Sequence, residues 1–330
     1  MSTPETPSSY TSTSTSTSTS TPPPLTLILL STTILLPLLP ILYNAFLSPL
    51  RTIPGPPISR LTPLWIWYHS YLGHEARLLT SLHAQHGPII RIGPRECVIS
   101  DGAALHAIYA ERGGFRKADC YANFDFEGHA TVFSARDGEY RARRRRAVGA
   151  LFSTGNIRAG RGRIEGCVGR FVERMRDEAR TGEAVDVFNL CRTLALDAVS
   201  SFLFGRSYGG VEERSGRLSA SGFVDSVVAS GRFFYLPHWL FVIVEAVRAK
   251  LAPSAGASAE AGGAYFDEFV RGLVADTPPG EETYQGRLKK AGVGDDENAV
   301  QLMDLMFAGT DSTGTILSKL IWRLAKNPEV

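Results

Sequence analysis

Between Leu302 and Leu324 an apolar run is interrupted by Ala308-Gly309-Thr310-Asp311-Ser312-Thr313, a small and polar island. A helix that only packs has no use for such an island. Ala308 and Gly309 remove side-chain bulk where a planar ligand would approach. Ser312 can bond the carbonyl one turn back and loosen the local helix ladder. Asp311 and Ser312 together supply an acid and a hydroxyl, the pair needed to pass protons to a bound oxygen atom or to hold a water. The plainer alternative is a glycine-kinked core helix with a capping aspartate.

A second constellation is Arg141, Arg143, Arg144, Arg145 and Arg146, within DGEYRARRRRAVGALFS. On a helix, Arg141, Arg145, Val148 and Phe152 share one face, basic with an apolar continuation. Three readings compete: a nucleic-acid or nuclear-import patch, a solvated helix face, and an anion site. The formal net charge of +2 and a preceding apolar span speak against nucleic acid. Guanidinium forks on adjacent turns suit carboxylates, which favours the anion site: propionates or an acidic partner would fit.

The elements that must position these residues read as mainly α with a small β-sheet, preceded by one transmembrane helix. Residues 1–24 form a Ser/Thr/Pro repeat too polar to bury a core and are expected to be disordered. Residues 25–50 carry no charge and suffice to cross a bilayer, with Arg51 and Arg60 as a cytoplasmic flank. Residues 51–60, with Pro54-Gly55-Pro56-Pro57, make a stiff, extended hinge. Ile89–Ile92 and Cys97–Ser100 flank Gly93-Pro94 as a hairpin. Asp101 can cap a helix from Gly102, and 164–180 and 186–204 are helical by period. Stretches 252–264 and 276–294 read as surface loops, and Asn327-Pro328 ends the last helix. Cys97, Cys120, Cys167 and Cys191 lie far apart and suggest reduced thiols rather than a zinc site. The segments 121–133 and 233–239 are aromatic and apolar, which suits contact with an apolar substrate.

The two constellations, in this order and following the Pro54–Pro57 hinge, the HGPIIRIGPRECVIS hairpin and the Lys117–Tyr121 stretch, resemble the cytochrome P-450 superfamily of haem-thiolate monooxygenases, in its fungal membrane-bound form. The likeness spans residues 25–330, closing with FAGTDST and LAKNPEV. It implies that residues 61–330 form the front part of a cytochrome P-450 domain, an incomplete version of that fold ending just after the oxygen-activating helix. It implies heme b as cofactor, with Arg145 at the arginine of the family's WxxxR helix and Arg141 at its tryptophan. Ala308 and Gly309 then lie against the cofactor, and Asp311 and Ser312 match the acid-alcohol pair, with serine where threonine is commoner.

The resemblance also implies electrons from NADPH through cytochrome P-450 reductase, with cytochrome b5 as a further donor. It implies an apolar small-molecule substrate, no nucleic acid, and a single-pass protein of the endoplasmic reticulum membrane with its catalytic body in the cytosol. The family's ExxR pair and haem-cysteine loop follow the oxygen-activating helix, and neither is found here. Glu173/Arg176, Glu245/Arg248 and Glu268/Arg271 fit the ExxR spacing but precede that helix as ordinary charge pairs. None of the four cysteines has the loop's context, so no metal ligand is assigned and the proximal cysteine is expected beyond Val330. The expectation is an inactive fragment of a monooxygenase. The alternative is a membrane-tethered pseudoenzyme or hydrophobic-ligand-binding module.

Overall fold

The computed structural model describes residues 24–111, 114–214, 218–251 and 253–329; the expected disordered repeat lies outside them up to residue 23. In chain order the elements are α1 (Pro24–Leu42), α2 (Leu64–Tyr71), α3 (Glu75–His86), β1 (Ile89–Gly93), β2 (Glu96–Ile99) and α4 (Ala104–Tyr109). They continue with α5 (Gly138–Val148), α6 (Thr154–Ala159), α7 (Arg161–Thr181), α8 (Val187–Val199), α9 (Ser219–Gly231), α10 (His238–Leu251), α11 (Pro253–Asp276), α12 (Tyr284–Lys290) and α13 (Asp295–Lys326). The chain is mainly helical with one antiparallel hairpin, as the sequence suggests.

The chain divides into two compact units: residues up to Trp65 with Leu82–Ile99, and Ile66–Ser81 with Ser100–Val330. In the first, α1 continues through Pro37 and Pro40 and gives way to a π-helical turn, Tyr43–Leu47. Its side chains Leu35, Leu36 and Leu39 are exposed. The hinge is not the extended connector expected. Two 3₁₀ turns, Pro49–Thr52 and Pro57–Arg60, flank a short extended stretch, because proline at the start of a turn has the right φ and no N–H to lose.

The expected hairpin forms, pairing Ile90 with Val98 and Arg91 with Cys97, with a shift of register between Arg91 and Gly93. Arg91 is fully buried, and its guanidinium donates to the carbonyls of Asn44 (3.0 Å), Gly93 (3.2 Å) and Pro94 (2.7 Å). Gly55 lies against this strand with φ +157, where a Cβ would stand 2.3 Å from the Arg91 carbonyl oxygen. That close backbone approach accounts for the glycine.

In the second unit α8 is the central helix. It satisfies the length and apolarity of a membrane span, but 61% of the stretch Val187–Phe204 is buried inside the protein, so it reads as a core helix. Its cap is Asp186, whose carboxylate accepts from Asn189 N. Asp197 is fully buried and accepts backbone N–H bonds from Gly209, Gly210 and Val211 at 2.8–3.0 Å, fixing the turn beyond α8. Leu196, Phe204, Phe223, Val224, Phe266, Leu302 and Met306 form the main core, joining α8, α9, α11 and α13.

The stretch 253–264, expected as loop, belongs to α11, and α12 interrupts the expected loop 276–294. Alanine-rich composition favours helix, and this outweighs the glycines around it. α13 passes unbroken through the small-residue island, so Ser312 does not loosen it into a kink. It ends at Lys326, before Asn327-Pro328, as expected.

Candidate active site

α5 begins where Asp137 accepts from the N–H groups of Glu139 (2.7 Å) and Tyr140 (3.0 Å), bonds that hold its carboxyl below the usual range. One face then presents Arg141, Arg145 and Val148, and the turn Gly149–Phe152 carries Phe152 onto the same face. These four residues line a cavity of about 870 Å³. Asp304, Leu305 and Ala308 of α13 and Tyr284 of α12 contribute to the wall, as do Lys117, Tyr121, Val132 and Phe133. An adjoining hollow of about 790 Å³ is lined by Arg116, Lys117, Arg136, Arg141 and Arg145 together with Asp137 and Glu139, so cations outnumber anions on that side.

The aromatic wall is built from both segments the sequence marks out. Tyr121, Phe133, Phe124 and Phe234 close a ring of contacts, each neighbouring pair of centroids 5.3–5.5 Å apart. Segment 130–134 is fastened to α13. Gln301 accepts from Val132 N and donates to Ala130 O, both at 2.9 Å. The Asp304 carboxyl lies near the Thr131 hydroxyl and the Phe133 N–H, which itself donates to Thr131 Oγ1 at 3.1 Å. Burial pushes Asp304 up, against the pull of those two dipoles and of the Lys117 charge. Lys117 is correspondingly lowered by burial and by Arg141. Its ammonium donates to Phe133 O and sits 5.0 Å and 5.1 Å from the Tyr121 and Phe133 ring centroids.

On the other face of α5, Arg144 pairs with Glu297 and stacks 3.3 Å over Tyr140, whose hydroxyl donates to Glu297 Oε1 at 2.6 Å. Burial pushes the Glu297 carboxyl up, but the bonds and charge of Arg144 and the Tyr140 bond together bring it below the ordinary range. Among the described residues no carboxylate pairs with Arg141 or Arg145.

Of the sequence-predicted site residues, Arg141, Arg145 and Ala308 meet at the cavity. Asp311 is not among the cavity-lining residues; it accepts from the buried Arg192 at 2.7 Å, and Arg192 also donates to Asp225 at 3.1 Å. Ser312 is exposed and bonds the Ala308 carbonyl at 2.8 Å. Gly309 is not among the cavity-lining residues. Its missing Cβ would stand 2.5 Å from Val199 Cγ2, so this glycine serves the close approach of α13 to α8, as does Gly314 against Arg192. Asp304, Lys117 and Tyr284 were not singled out as site residues. Asp304 carried a signal: it is an acid in an apolar run, one turn before Ala308.

A family model for cytochrome P450 matches residues 54–330. The chain belongs to the cytochrome P450 family. It is 34% identical to the cytochrome P450 monooxygenase mfmF of Annulohypoxylon moriforme, over 90% of this chain and 64% of that protein. It is 32% identical to benzoate 4-monooxygenase bphA of Aspergillus niger over 56% of this chain and 36% of the relative, and 24% identical to pisatin demethylase of Fusarium vanettenii over 87% and 59%. The chain thus spans less than two thirds of the length of these relatives.

The family implies haem, and the cavity suits a flat apolar group that bears carboxylates. Arg141 and Arg145 offer unpaired guanidinium forks, Lys117 adds a third cation, and Ala308 keeps α13 low where Leu305 and Val148 supply apolar wall. Among the described residues no cysteine lines this cavity. Cys167 and Cys191 lie in a second apolar cluster with Phe171 and Leu190, and burial pushes the Cys191 thiol up to about 11.

Proposed function

We propose that this chain is the haem-cradling part of a fungal monooxygenase of secondary metabolism, which inserts one atom of dioxygen into an apolar organic molecule. The observation that supports this most is the meeting of Arg141 and Arg145 with Ala308 around one apolar cavity in a cytochrome P450 chain. Arg141 and Arg145 would hold the propionates. Bound haem would supply reductive activation of dioxygen, with one oxygen atom going to substrate and the other to water. Phe133, Tyr121 and Val132 would exclude water from the substrate side.

Asp311, paired with Arg192, would hand protons along α13, and Ser312 would hold a water on the Ala308 face. Electrons would come from NADPH through cytochrome P-450 reductase, with cytochrome b5 as a second donor. The exposed apolar side chains of α1 suit a single membrane anchor within residues 25–50, placing the body on the cytosolic side of the endoplasmic reticulum. The test is the carbon monoxide difference spectrum of reduced membranes containing the protein. A Soret band that shifts on adding carbon monoxide, the mark of bound haem, is the expected result.

A second reading, a membrane-tethered module that binds apolar molecules without catalysis, is favoured by the placement of all four cysteines away from the cavity wall. It predicts ligand binding with no such band.

A further inference from the structure

Asp304 is the one carboxylate on the cavity wall among the described residues, one helical turn before Ala308. The Thr131 hydroxyl and the Phe133 N–H lie near its carboxyl, and the Phe133 N–H donates to Thr131 Oγ1 at 3.1 Å. A carboxylate offers roughly four acceptor positions, so capacity remains for a donor in the cavity. An entirely apolar ligand would strip water from this acid and give nothing back, a loss of the kind that makes polar sites reject analogues without a matching donor.

The surroundings decide which donor fits. Lys117 and Arg141 share the wall with Asp304, so a cationic ligand would meet like charges there. With haem propionates already on Arg141 and Arg145, an anionic ligand would meet the Asp304 carboxylate. A neutral hydroxyl gives the acid its hydrogen bond and adds no charge, and the rings of Tyr121 and Phe133 offer flat apolar surface beside it.

We propose that Asp304 is the specificity-determining residue of this cavity, selecting aromatic molecules that carry a neutral hydroxyl, phenols above all, and orienting them through that hydroxyl. This deepens the monooxygenase reading and rests on it for the rejection of anions and for one consequence: the hydroxyl then fixes which carbon is presented for oxidation.

The test is a fluorescence binding titration of the full chain in detergent micelles, with and without added haem. The probes are 2-naphthol, its methyl ether, 2-naphthoate and 2-naphthylmethylammonium. The wild type is expected to bind 2-naphthol about tenfold tighter than the ether, the worth of one well-made hydrogen bond. Asp304→Leu should bring that ratio close to one. Asp304→Asn, which keeps an acceptor for the ligand, should retain part of it.

If Asp304 only holds segment 130–134 in place, Asp304→Leu would weaken both probes alike and leave the ratio unchanged, which overturns the proposal. In the haem-loaded protein, tightest binding of the naphthoate or the ammonium probe, or no binding of 2-naphthol, overturns it too. Failure of the haem reading shows separately, as the absence of a Soret band on adding haem while the naphthol preference persists.

Discussion

Arg144 and Arg145 are neighbours in the chain, yet the fold gives them opposite surroundings. Arg144 is enclosed between Glu297 and the Tyr140 ring, and its charge ties α5 to the start of α13. Arg145, with Arg141 one turn earlier, faces the cavity without a carboxylate partner among the described residues. A buried pair is costly to break because one charge is left uncompensated, whereas an unpaired arginine at a wall adds little to stability and is free to hold a ligand. The comparison separates an arginine that holds the fold from arginines that wait for an anion.

The largest effect expected is from breaking the paired side. Arg144→Leu should destabilise the protein by about 3 kcal/mol, read from urea unfolding, and a double-mutant cycle with Glu297→Gln should show strong coupling. Arg145→Leu in the same assay should stay within about 0.5 kcal/mol of wild type. Equal losses for the two arginines would erase the distinction.

Next in size are the glycines that set α13 against α8. Gly314→Ala would bring a Cβ to 3.0 Å from the Arg192 backbone, and Gly309→Ala to 2.5 Å from the branched Val199 side chain. Each should cost about 1–3 kcal/mol by overpacking, measured as a drop in Tm. Because Arg192 also holds Asp311, Gly314→Ala sharpens the picture further: it should disturb the Asp311 pair while leaving the α5 cavity face intact.

The smallest effect is the pH dependence of two acids on α13. Glu297 sits below its ordinary value, so its contribution to stability is present above about pH 4.3 and is lost as pH falls through its lower folded value. Asp304 sits above its ordinary value, so its contribution is full below about pH 3.9 and is lost as pH rises through the folded value. Relative to wild type, Glu297→Gln should therefore lose stability as pH rises across this region, and Asp304→Asn should gain it. Slopes of the same sign would contradict the difference between the two sites.

Much of this was legible from sequence. The shared face of Arg141, Arg145, Val148 and Phe152 follows from helical spacing alone, and the cavity uses all four residues. The hairpin itself follows from its central turn, because pairing in a two-stranded ribbon is local. The two aromatic segments 121–133 and 233–239 were also marked, since ring-rich stretches read directly from composition.

What was hidden depends on contacts between distant segments. Nothing local in the run Arg143–Arg146 tells which arginine meets Glu297, 153 residues away. Gly309 reads as room for a ligand until Val199 of α8 is seen beside it. The helix over 253–264 was missed because its glycines and serines read as breakers, and the pairing of Asp311 with Arg192 could not be foreseen without the α8 to α13 packing. Asp304 was legible in principle from its place one turn before Ala308, but a single acid in an apolar run reads equally well as a helix residue facing water.

The most direct test of the central claim is a haem titration of the full chain in detergent, followed by Soret absorbance, for the wild type, Arg145→Leu, Arg141→Leu and Arg144→Gln, with unfolding measured on the same samples. The account predicts that Arg145→Leu and Arg141→Leu each lower haem affinity about tenfold or more at unchanged stability, as expected for the loss of a charge-assisted bond. Arg144→Gln should lose stability instead and keep its haem affinity whenever it is folded. Haem affinity unchanged in both cavity-facing variants would contradict the assignment of this face to the cofactor.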